Sequence, residues 1–400
     1  MTVSGSVARI VGAVALGLAL ASAALADPAP LRIGVLTDAS GPFVDSGGPG
    51  SKLAAEMAAA DFGGEVLGRK IEIVIGDTQN KPDVAAAVAR RWFDVEGVSA
   101  VTDLPVTPIA FAVQAIAKEK GKTVMVTAAA TADLTAKFCA LNSSHWADDT
   151  HALAGSAKAI VEGGGKSWYF LAQDTAFGAA LQKAVTEVVE AAGGKSLGGA
   201  KYPINSPDFS SLLLQAQSSG ADRIGLASVG GDLDNQIKQA AEFGIGQDGK
   251  QSLVAFLIYI QDIYALGLPA AKNLTVTSSF YWDESDKARA FAKRFFAERQ
   301  MMPSRNHALI YTAVTHYLEA VKAAGTDDAA AVGKAMRAAP IDYFGRPATM
   351  RSDGRVLFDL TLYRVKTPDE SKAPWDYYAK VRDIPAAEAF APVNTAVCGP

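Results

Sequence analysis

The sequence predicts an α/β fold built as two doubly wound lobes with mostly parallel sheets. Short apolar runs alternate with longer helical patterns along most of the 400 residues, and this alternation is typical of βαβ units. The short runs are apolar at consecutive positions, as expected of strands that helices cover on both faces. The series stops and restarts near residues 145–151. We therefore expect two sheets, joined by multiple crossovers of the chain.

The individual elements follow from these patterns in chain order. Before the break, the runs LRIGVLTD, IEIVIGD, SAVTDL and TVMVT predict strands at 31–38, 71–77, 99–104 and 123–127, with helices over 51–62, 84–93 and 109–120. After it, strands at 167–174, 223–230 and 253–260 alternate with helices over 179–192 and 233–243. A strand at 274–283, helices over 286–299 and 308–324, and one late strand at 356–365 complete the chain.

The first 26 residues have the composition of a secretory signal peptide. Arg9 precedes the apolar run IVGAVALGLALASAALA, and Ala24-Leu25-Ala26 supplies small residues at the positions that a signal peptidase reads. We expect cleavage after Ala26 and a soluble protein in the periplasm; the alternative is an N-terminal membrane anchor. The chain has two cysteines, Cys139 and Cys398, which in an exported protein are either one disulfide or two unrelated thiols.

Composition and motifs argue against several classes of function. The net charge of −4, with 49% hydrophobic and 20% charged residues, offers no basic excess for a nucleic-acid partner. The chain has four histidines, none of them in HExxH, and it has no GxSxG or GxxxxGK[ST] motif. A GxGxxG match at 244–249 follows a helix and precedes a strand, which is the wrong order for a dinucleotide site. We expect no enzyme activity, no metal and no cofactor.

Candidate ligand contacts lie just after the predicted strands, where ligands bind in open α/β sheets. The loop at 38–50 is rich in glycine and contains Phe43 and Ser46. Thr107 opens a helix, so that its hydroxyl either caps the helix or binds a ligand; position alone favours capping. In VTAAATADLT (126–135), the alanines leave room for a ligand near the backbone, and Thr131 supplies a hydroxyl.

The order and spacing of several motifs resemble one family over essentially the whole mature chain. They are IGVLTDASGPF with GGPGS, VTAAATADLT, GGKSWYFLAQDTAFG, PDFSSLLLQAQ, GGDLDNQIKQAAEFG, SSFYWD and SDGR. The family is the periplasmic substrate-binding proteins of branched-chain amino acid (leucine/isoleucine/valine-type) ABC transporters. The resemblance implies a bilobed type I periplasmic-binding-protein fold. Lobe 1 would take 27–147 and about 279–352, lobe 2 would take 148–278 and about 353–390, and the tail at 391–400 would be tied back to lobe 1.

The resemblance also implies a function and a set of roles. Such a receptor captures a small carboxylate-bearing ligand between its lobes, closes, and delivers it to an ABC permease; we expect a monomer. Thr107 and the Ala129-Ala130-Thr131 seat would bind the carboxylate. Asp232, after Gly231, would meet an ammonium, with Asp234 as the alternative. In the subfamily that the chain most resembles, one cysteine follows shortly after the Leu-Thr pair that here is Leu134-Thr135, and another lies near the C-terminus. The resemblance therefore implies a Cys139–Cys398 disulfide.

Two departures from the family pattern leave the ligand open. Thr175 stands where the family often has a tyrosine, and the usual serine-rich turn reads Leu104-Pro105-Val106-Thr107. Relatives of this fold also take urea, amides and aromatic acids, so the ligand is an amino acid or a related organic or aromatic acid. Tyr281 either lines the cleft or packs in the core, and packing is favoured.

Other interpretations of the function are a ligand sensor for a signalling partner and, less favoured, an exported α/β enzyme. The expected ligand-binding residues are Phe43, Ser46, Thr107, Ala129, Ala130, Thr131, Thr175, Gly231, Asp232 and Tyr281.

Overall fold

A computed structural model describes residues 1–2, 28–246 and 250–398. The predicted signal peptide at 1–26 lies outside the described residues, apart from Met1 and Thr2, and so does the end of the GxGxxG match. Within the described ranges, no helix is long and apolar enough to cross a bilayer.

The first sheet forms from the N-terminal part of the chain. Its spatial order is β2-β3-β1-β4-β5-β6. The strands β1, β3, β4, β5 and β6 pair in parallel, and β2 forms an antiparallel hairpin with β3. Every residue of β4 is buried, as expected of a strand that helices cover on both faces. The bounds are β1 Leu31–Thr37, β2 Glu65–Val66, β3 Arg69–Asp77, β4 Val98–Asp103, β5 Thr123–Val126 and β6 Ser143–His145.

The second sheet has the order β16-β15-β11-β10-β9-β7-β8. Its strands β7 to β11 pair in parallel, whereas β15 and β16 add an antiparallel edge. This edge is compatible with a doubly wound, mostly parallel sheet. The bounds are β7 Ser167–Gln173, β8 Lys195–Tyr202, β9 Arg223–Ala227, β10 Ser252–Ala255, β11 Thr275–Ser278, β15 Leu360–Val365 and β16 Tyr378–Ile384.

Helices cover both sheets, and each sheet with its helices forms one lobe. In the first lobe α12 packs on α1 and α2 packs on α3, while in the second lobe α5 packs on α6. The longer helices are α1 Gly48–Phe62, α2 Pro82–Asp94, α3 Thr107–Lys120, α5 Thr150–Glu162, α6 Ala176–Ala191, α7 Ser210–Ser218, α8 Gly231–Glu242, α11 Asp286–Arg299, α12 Arg305–Ala324 and α13 Ala329–Ala338. The short helices are α4 Asp133–Ala136, α9 Ile260–Leu266, α10 Leu268–Ala271, α14 Ala386–Ala389 and α15 Thr395–Cys398. The architecture confirms the predicted α/β class with two doubly wound sheets.

The predicted late strand at 356–365 is wrong as a single element. The chain forms β14, Val356–Leu357, and then β15, and these two strands belong to different sheets. The strand β14 pairs with β13, Arg346–Met350, which in turn pairs with β12, Ile341–Tyr343. Between β14 and β15 the chain passes from one lobe to the other, with the Phe358 side chain buried at the crossing. An apolar run that spans two cores has the same pattern as one buried strand, so periodicity does not separate them.

The two cysteines are joined. The Cys139–Cys398 disulfide connects the segment after α4 to α15 at the C-terminus, with the Cα atoms 5.8 Å apart. The Asn394 side chain also donates to the Ala136 carbonyl at 3.0 Å. The C-terminal tail is therefore fastened to the segment that carries the predicted carboxylate seat, and the disulfide expected from the resemblance is confirmed.

Candidate ligand-binding site

A cavity of about 640 Å³ lies between the two lobes at the carboxyl ends of the parallel strands. Both lobes contribute to its wall, mainly through the segments that follow β1, β4 and β5 in the first lobe and β7, β8 and β9 in the second. Of the predicted ligand contacts, the cavity is lined by Phe43, Ser46, Thr107, Ala130, Thr175, Gly231 and Asp232. Three predicted residues, Ala129, Thr131 and Tyr281, lie outside this lining.

The glycine-rich loop before α1 is held in place by a buried carboxylate. Asp38 is fully buried and accepts hydrogen bonds from the Phe43 backbone N–H at 2.9 Å and from the Asn80 side chain at 2.6 Å. The Phe43 ring reaches the second lobe, where it lies 3.6 Å from the position that a Cβ on Gly230 would occupy. Gly230 has φ +69° and ψ −152°, a conformation that glycine alone adopts readily. Phe43 thus bridges the two lobes at the wall of the cavity.

Thr107 is not the cap of its helix. The cap residue of α3 is Val106, which provides no side-chain hydrogen bond, and Thr107 is the first helical residue. Capping, which position alone favoured, is therefore wrong for this hydroxyl, and no described residue bonds to it. The first backbone N–H groups of a helix have no partner within the helix. Pro108, the second helical residue, has no N–H, so this end of α3 presents the Thr107 backbone N–H and the Thr107 hydroxyl at the cavity wall.

The Ala-Ala-Thr segment is divided between two spaces. Ala130 lines the main cavity, whereas Ala129 is buried, and its carbonyl accepts a hydrogen bond from His145 Nε2 at 2.8 Å. Thr131 lines a second cavity of about 260 Å³, to which Thr107 also contributes. Thr107 therefore lies between the two parts of the predicted carboxylate seat.

The second lobe presents a carboxylate to the cavity. Asp232 is 7% exposed, and its Oδ2 accepts from Gln173 Nε2 and from the Asn205 backbone N–H, both at 3.0 Å. No described residue donates to its Oδ1. Asp234 is not in the cavity wall; burial raises the pKa of its carboxyl, and the neighbouring Asp262 raises it further. The structure thus places Asp232, rather than Asp234, at the cavity.

The remaining predicted residues of the second lobe have separate roles. The Thr175 hydroxyl accepts from the Gly178 backbone N–H at 3.0 Å and so caps α6. Gly231 begins α8, whose cap residue offers no side-chain hydrogen bond. Tyr281 is outside the cavity because it packs in the apolar core of the second lobe, where its hydroxyl donates to the Trp375 carbonyl at 3.2 Å. Packing, the interpretation that the sequence favoured for Tyr281, agrees with this placement.

Several polar residues of the cavity wall were not predicted. Asp103 ends β4 with φ +80°, a left-handed conformation that is uncommon for residues other than glycine. Its Oδ1 accepts from Asn306 Nδ2 at 3.0 Å, and burial raises its pKa against the opposing effects of Ser51, Thr37 and Asn306. Asp103 falls within a strand-end segment that the sequence indicated. Tyr259 follows β10, which ends at Ala255; the strand predicted over 253–260 is too long, and for this reason Tyr259 was not placed at a strand end. Asn306 follows no strand of either sheet and carries no sequence signal.

The charge of the cavity wall limits what it can bind. The described residues that line the main cavity include two carboxylates, Asp103 and Asp232, and no lysine, arginine or histidine. A ligand carboxylate there would be bound by backbone N–H groups and hydroxyls, and a donor or cation would meet Asp232. Within the described ranges, no cluster of three or more His, Cys, Asp or Glu could hold a metal ion.

The sequence pattern of one family covers most of the chain. The model of the periplasmic binding protein family matches residues 30–372. The chain belongs to this family. A periplasmic binding protein from Burkholderia mallei is 43% identical, and the match covers 92% of this chain and 98% of that one with a TM-score of 0.86.

Two further relatives agree with this membership. A branched chain amino acid ABC transporter periplasmic ligand-binding protein from Burkholderia xenovorans LB400 is 36% identical over 90% of this chain and 97% of that one, with a TM-score of 0.85. Leu/Ile/Val-binding protein homolog 6 of Brucella abortus (strain 2308) is 26% identical over 279 residues, which is 68% of this chain and 70% of the relative. The resemblance inferred from sequence motifs and the type I periplasmic-binding-protein fold are therefore confirmed.

Family membership also decides the class of function. This periplasmic binding protein is a binding component of the ABC transporter type and not an enzyme, as the sequence predicted. The family is extracytoplasmic, which agrees with the predicted export.

Proposed function

We propose that this periplasmic binding protein captures a small amino acid, or a related carboxylate-bearing compound, between its lobes and delivers it to an ABC permease. One observation carries the proposal: a single cavity is lined by Asp232 of the second lobe and by the uncapped N-terminus of α3 with Thr107 of the first. Acceptor and donor groups on opposite lobes suit a zwitterion, which each lobe alone would bind only in part.

The first lobe supplies the contacts for a carboxylate. A carboxylate at the start of a helix gains from unpaired backbone N–H groups and from the helix dipole. The Thr107 hydroxyl adds a donor that no described residue occupies, and Ala130 leaves space for the ligand to approach the backbone. Because the cavity wall lacks a described cationic side chain, a ligand with one carboxylate fits better than one with two.

The second lobe supplies the contact for an ammonium. The two hydrogen bonds that fix Asp232 both go to Oδ2, so Oδ1 is left for a donor in the cavity. An ammonium that binds there replaces lost water with a charge-assisted hydrogen bond. The apolar residues of the wall, among them Phe43, Phe177 and Leu257, would surround the rest of the ligand.

Delivery to a permease is supported by the relatives. The Burkholderia xenovorans protein, 36% identical over nearly its whole length, is described as the periplasmic ligand-binding protein of a branched chain amino acid ABC transporter. The same biological role in this chain would make the closed, occupied form the one that docks on the membrane component.

The test is a thermal-shift screen of the twenty L-amino acids, amides, short-chain acids and aromatic acids. A true ligand at 100 times its dissociation constant should add about 2.7 kcal/mol to the free energy of unfolding. No shift with any of these compounds would contradict the proposal.

A pair of matched variants then tests the ammonium contact by calorimetry. Asp232→Asn should weaken an amino acid by about tenfold or more, since a hydrogen bond to a charged group contributes roughly 1.5–3 kcal/mol. Asp234→Asn, on the same helix but outside the cavity, should leave the dissociation constant unchanged. Equal affinities of the Asp232→Asn variant and the wild type would show that the ligand lacks an ammonium at this position and is an organic or aromatic acid.

A further inference from the structure

Among the described residues, three segments of the chain pass between the lobes. Residues 146–149 connect β6 to α5, residues 279–285 connect β11 to α11, and residues 358–359 connect β14 to β15. Two adjacent aspartates, Asp148 and Asp149, lie on the first of these segments. Both are almost fully buried, and each forms an ion pair with a buried arginine.

Asp148 of the first ion pair ties the first segment to the second and, through Arg305, to the start of α12. Asp148 Oδ2 accepts the Ser279 backbone N–H at 3.1 Å and lies 3.4 Å from Arg305 Nη1. The same nitrogen of Arg305 donates to the Thr277 carbonyl at 3.0 Å. The two side chains are 4% and 0% exposed, so that water screens this contact very little.

The second ion pair ties the first segment to β14, the strand that leads into the third segment. Arg355, next to β14, lies 3.3 Å from Asp149 Oδ2. Its guanidinium also donates to the Trp146 carbonyl at 3.2 Å, to the Ala147 carbonyl, and to the Val356 carbonyl at 3.0 Å. One side chain thus bonds both to the first segment and to β14, the strand that leads into the third segment.

Arg355 is also connected to the predicted carboxylate seat. Its Nη1 lies 2.8 Å from His145 Nδ1, and because a guanidinium only donates, Nδ1 accepts and the proton is on Nε2. His145 Nε2 then donates to the Ala129 carbonyl at 2.8 Å. The next carbonyl, that of Ala130, accepts from the backbone N–H of Thr150, the first residue of α5.

Arg305 is connected to the opposite part of the cavity wall. Its neighbour Asn306 bonds to Asp103 at 3.0 Å, and both residues line the cavity. The Arg305 guanidinium also lies 4.9 Å from the ring centroid of Tyr259, a cavity residue that belongs to the second lobe. Each ion pair is therefore one or two contacts away from residues that line the cleft.

We propose that the Asp148–Arg305 and Asp149–Arg355 pairs form a hinge clasp. The clasp holds the first crossing segment against the second and against β14, the strand that leads into the third, and so positions the two walls of the ligand cavity. Buried ion pairs contribute little to stability compared with apolar residues of the same size, because of the cost of removing charges from water. Their effect in this proposal is to hold the backbone segments around them in a single arrangement. In a protein that closes about these segments, the clasp restricts how far apart the lobes rest before a ligand arrives.

The test measures the distance between the lobes in the ligand-free protein, so that it does not depend on finding a ligand. Spin labels at Lys118→Cys and Gln217→Cys, both exposed and in α3 and α7, report one distance across the cleft. We expect a single narrow distribution for the otherwise unchanged protein. Asp148→Asn and Asp149→Asn remove the charge and keep the shape, and each should broaden the distribution or add a second population.

A matched control is the Asp61→Asn variant. Asp61 also pairs with an arginine, Arg294, at 2.8 Å, but both residues belong to the first lobe. Its distance distribution should equal that of the wild type. Folded Asp148→Asn and Asp149→Asn proteins with the wild-type distribution would overturn the proposal.

Two more measurements separate positioning from a purely structural role. Arg355→Lys keeps the charge but loses the fork of bonds to the Trp146, Ala147 and Val356 carbonyls, and should also broaden the distribution. If this variant and both asparagine variants fail to fold, the pairs serve folding alone and the proposal is wrong.

The second measurement uses the L-amino acids as probes and rests on the proposed function. For an amino acid that binds the wild type, the dissociation constant of the Asp149→Asn variant should rise by about fivefold or more. The reason is that the arrangement of the lobes, which the clasp holds, is coupled to ligand binding in the cavity. An unchanged constant would overturn the link between clasp and cavity. Failure of every amino acid to bind would count against the proposed ligand class, while the distance measurement would still decide the clasp.

Discussion

Gly178 stands at a position where even one methyl group has no space. It is buried in the first turn of α6, and its backbone N–H donates to the Thr175 hydroxyl at 3.0 Å. A Cβ at this position would lie 2.2 Å from the Gln173 carbonyl oxygen and 3.1 Å from the Ala227 carbonyl oxygen. Both neighbours are backbone atoms at the ends of β7 and β9, so neither can move aside by a change of rotamer.

The size of the effect of Gly178→Ala follows from two opposing contributions. The contact with Gln173 is about 1 Å too short, and overpacking of this kind typically costs 1–3 kcal/mol or more. Alanine is favoured over glycine inside a helix by about 1 kcal/mol. Because the close contacts are to backbone atoms on two strands, we expect the steric cost to lie at the upper end. The net loss in the free energy of unfolding should be about 2 kcal/mol.

Urea unfolding followed by circular dichroism measures this loss, with Gly231→Ala as the matched control. Gly231 also begins a helix next to the cleft, but a Cβ there meets no atom within 4 Å. The control should change stability by no more than about 0.5 kcal/mol. Gly178→Ala should also weaken ligand binding, because Gln173 holds Asp232 in place. A Gly178→Ala protein as stable as the control would refute the steric reasoning.

Three other predictions address the site, pH and the disulfide. Thr107→Ala should weaken binding of a carboxylate by about tenfold in calorimetry without loss of stability, since the hydroxyl caps no helix, while Thr107→Ser should bind like the wild type. Burial lowers the pKa of His307 from 6.5 to about 4. Below pH 6.5 the unfolded chain therefore takes up a proton at this histidine while the folded protein keeps it neutral. The contribution of His307 to the free energy of unfolding is complete above pH 6.5 and is smaller by about 2 kcal/mol at pH 5. The loss of stability between pH 7 and pH 5 in urea unfolding should therefore be smaller in His307→Gln, and equal losses would contradict this. Replacing both Cys139 and Cys398 by serine should reduce the free energy of unfolding by up to about 5 kcal/mol in the chain-entropy model, and an unchanged urea midpoint would show that the tail bond does not stabilise the fold.

Most of the order of strands and helices could be predicted from the sequence, because buried parallel strands and amphipathic helices have strong local patterns. The helix predicted over 286–299 has those bounds in the structure, as Asp286–Arg299. Elements with weak patterns were missed. The edge strand β8, Lys195–Tyr202, is largely exposed and contains two glycines, so it lacks the apolar run that marks an interior strand.

The candidate site divides in the same way between local and non-local information. Residues in the segments that follow a strand, such as Phe43, Thr107 and Asp232, were found because these segments lie at the carboxyl ends of the strands, where the cleft is. Asn306 follows no strand of either sheet, and it reaches the cavity only because α12 packs on α1. No local pattern encodes that contact.

The sequence by itself determined the α/β class, the two series of strands, the family and the strand-end segments where a ligand is expected. Only the tertiary structure decided that Val106, rather than Thr107, is the cap residue of α3, that Asp232 rather than Asp234 reaches the cavity, and that Tyr281 packs in the core. The physical reason is that periodicity and turn chemistry act between residues close in the chain. Which side chain reaches a cleft, and which arginine meets a buried aspartate, depends on how distant elements pack against one another.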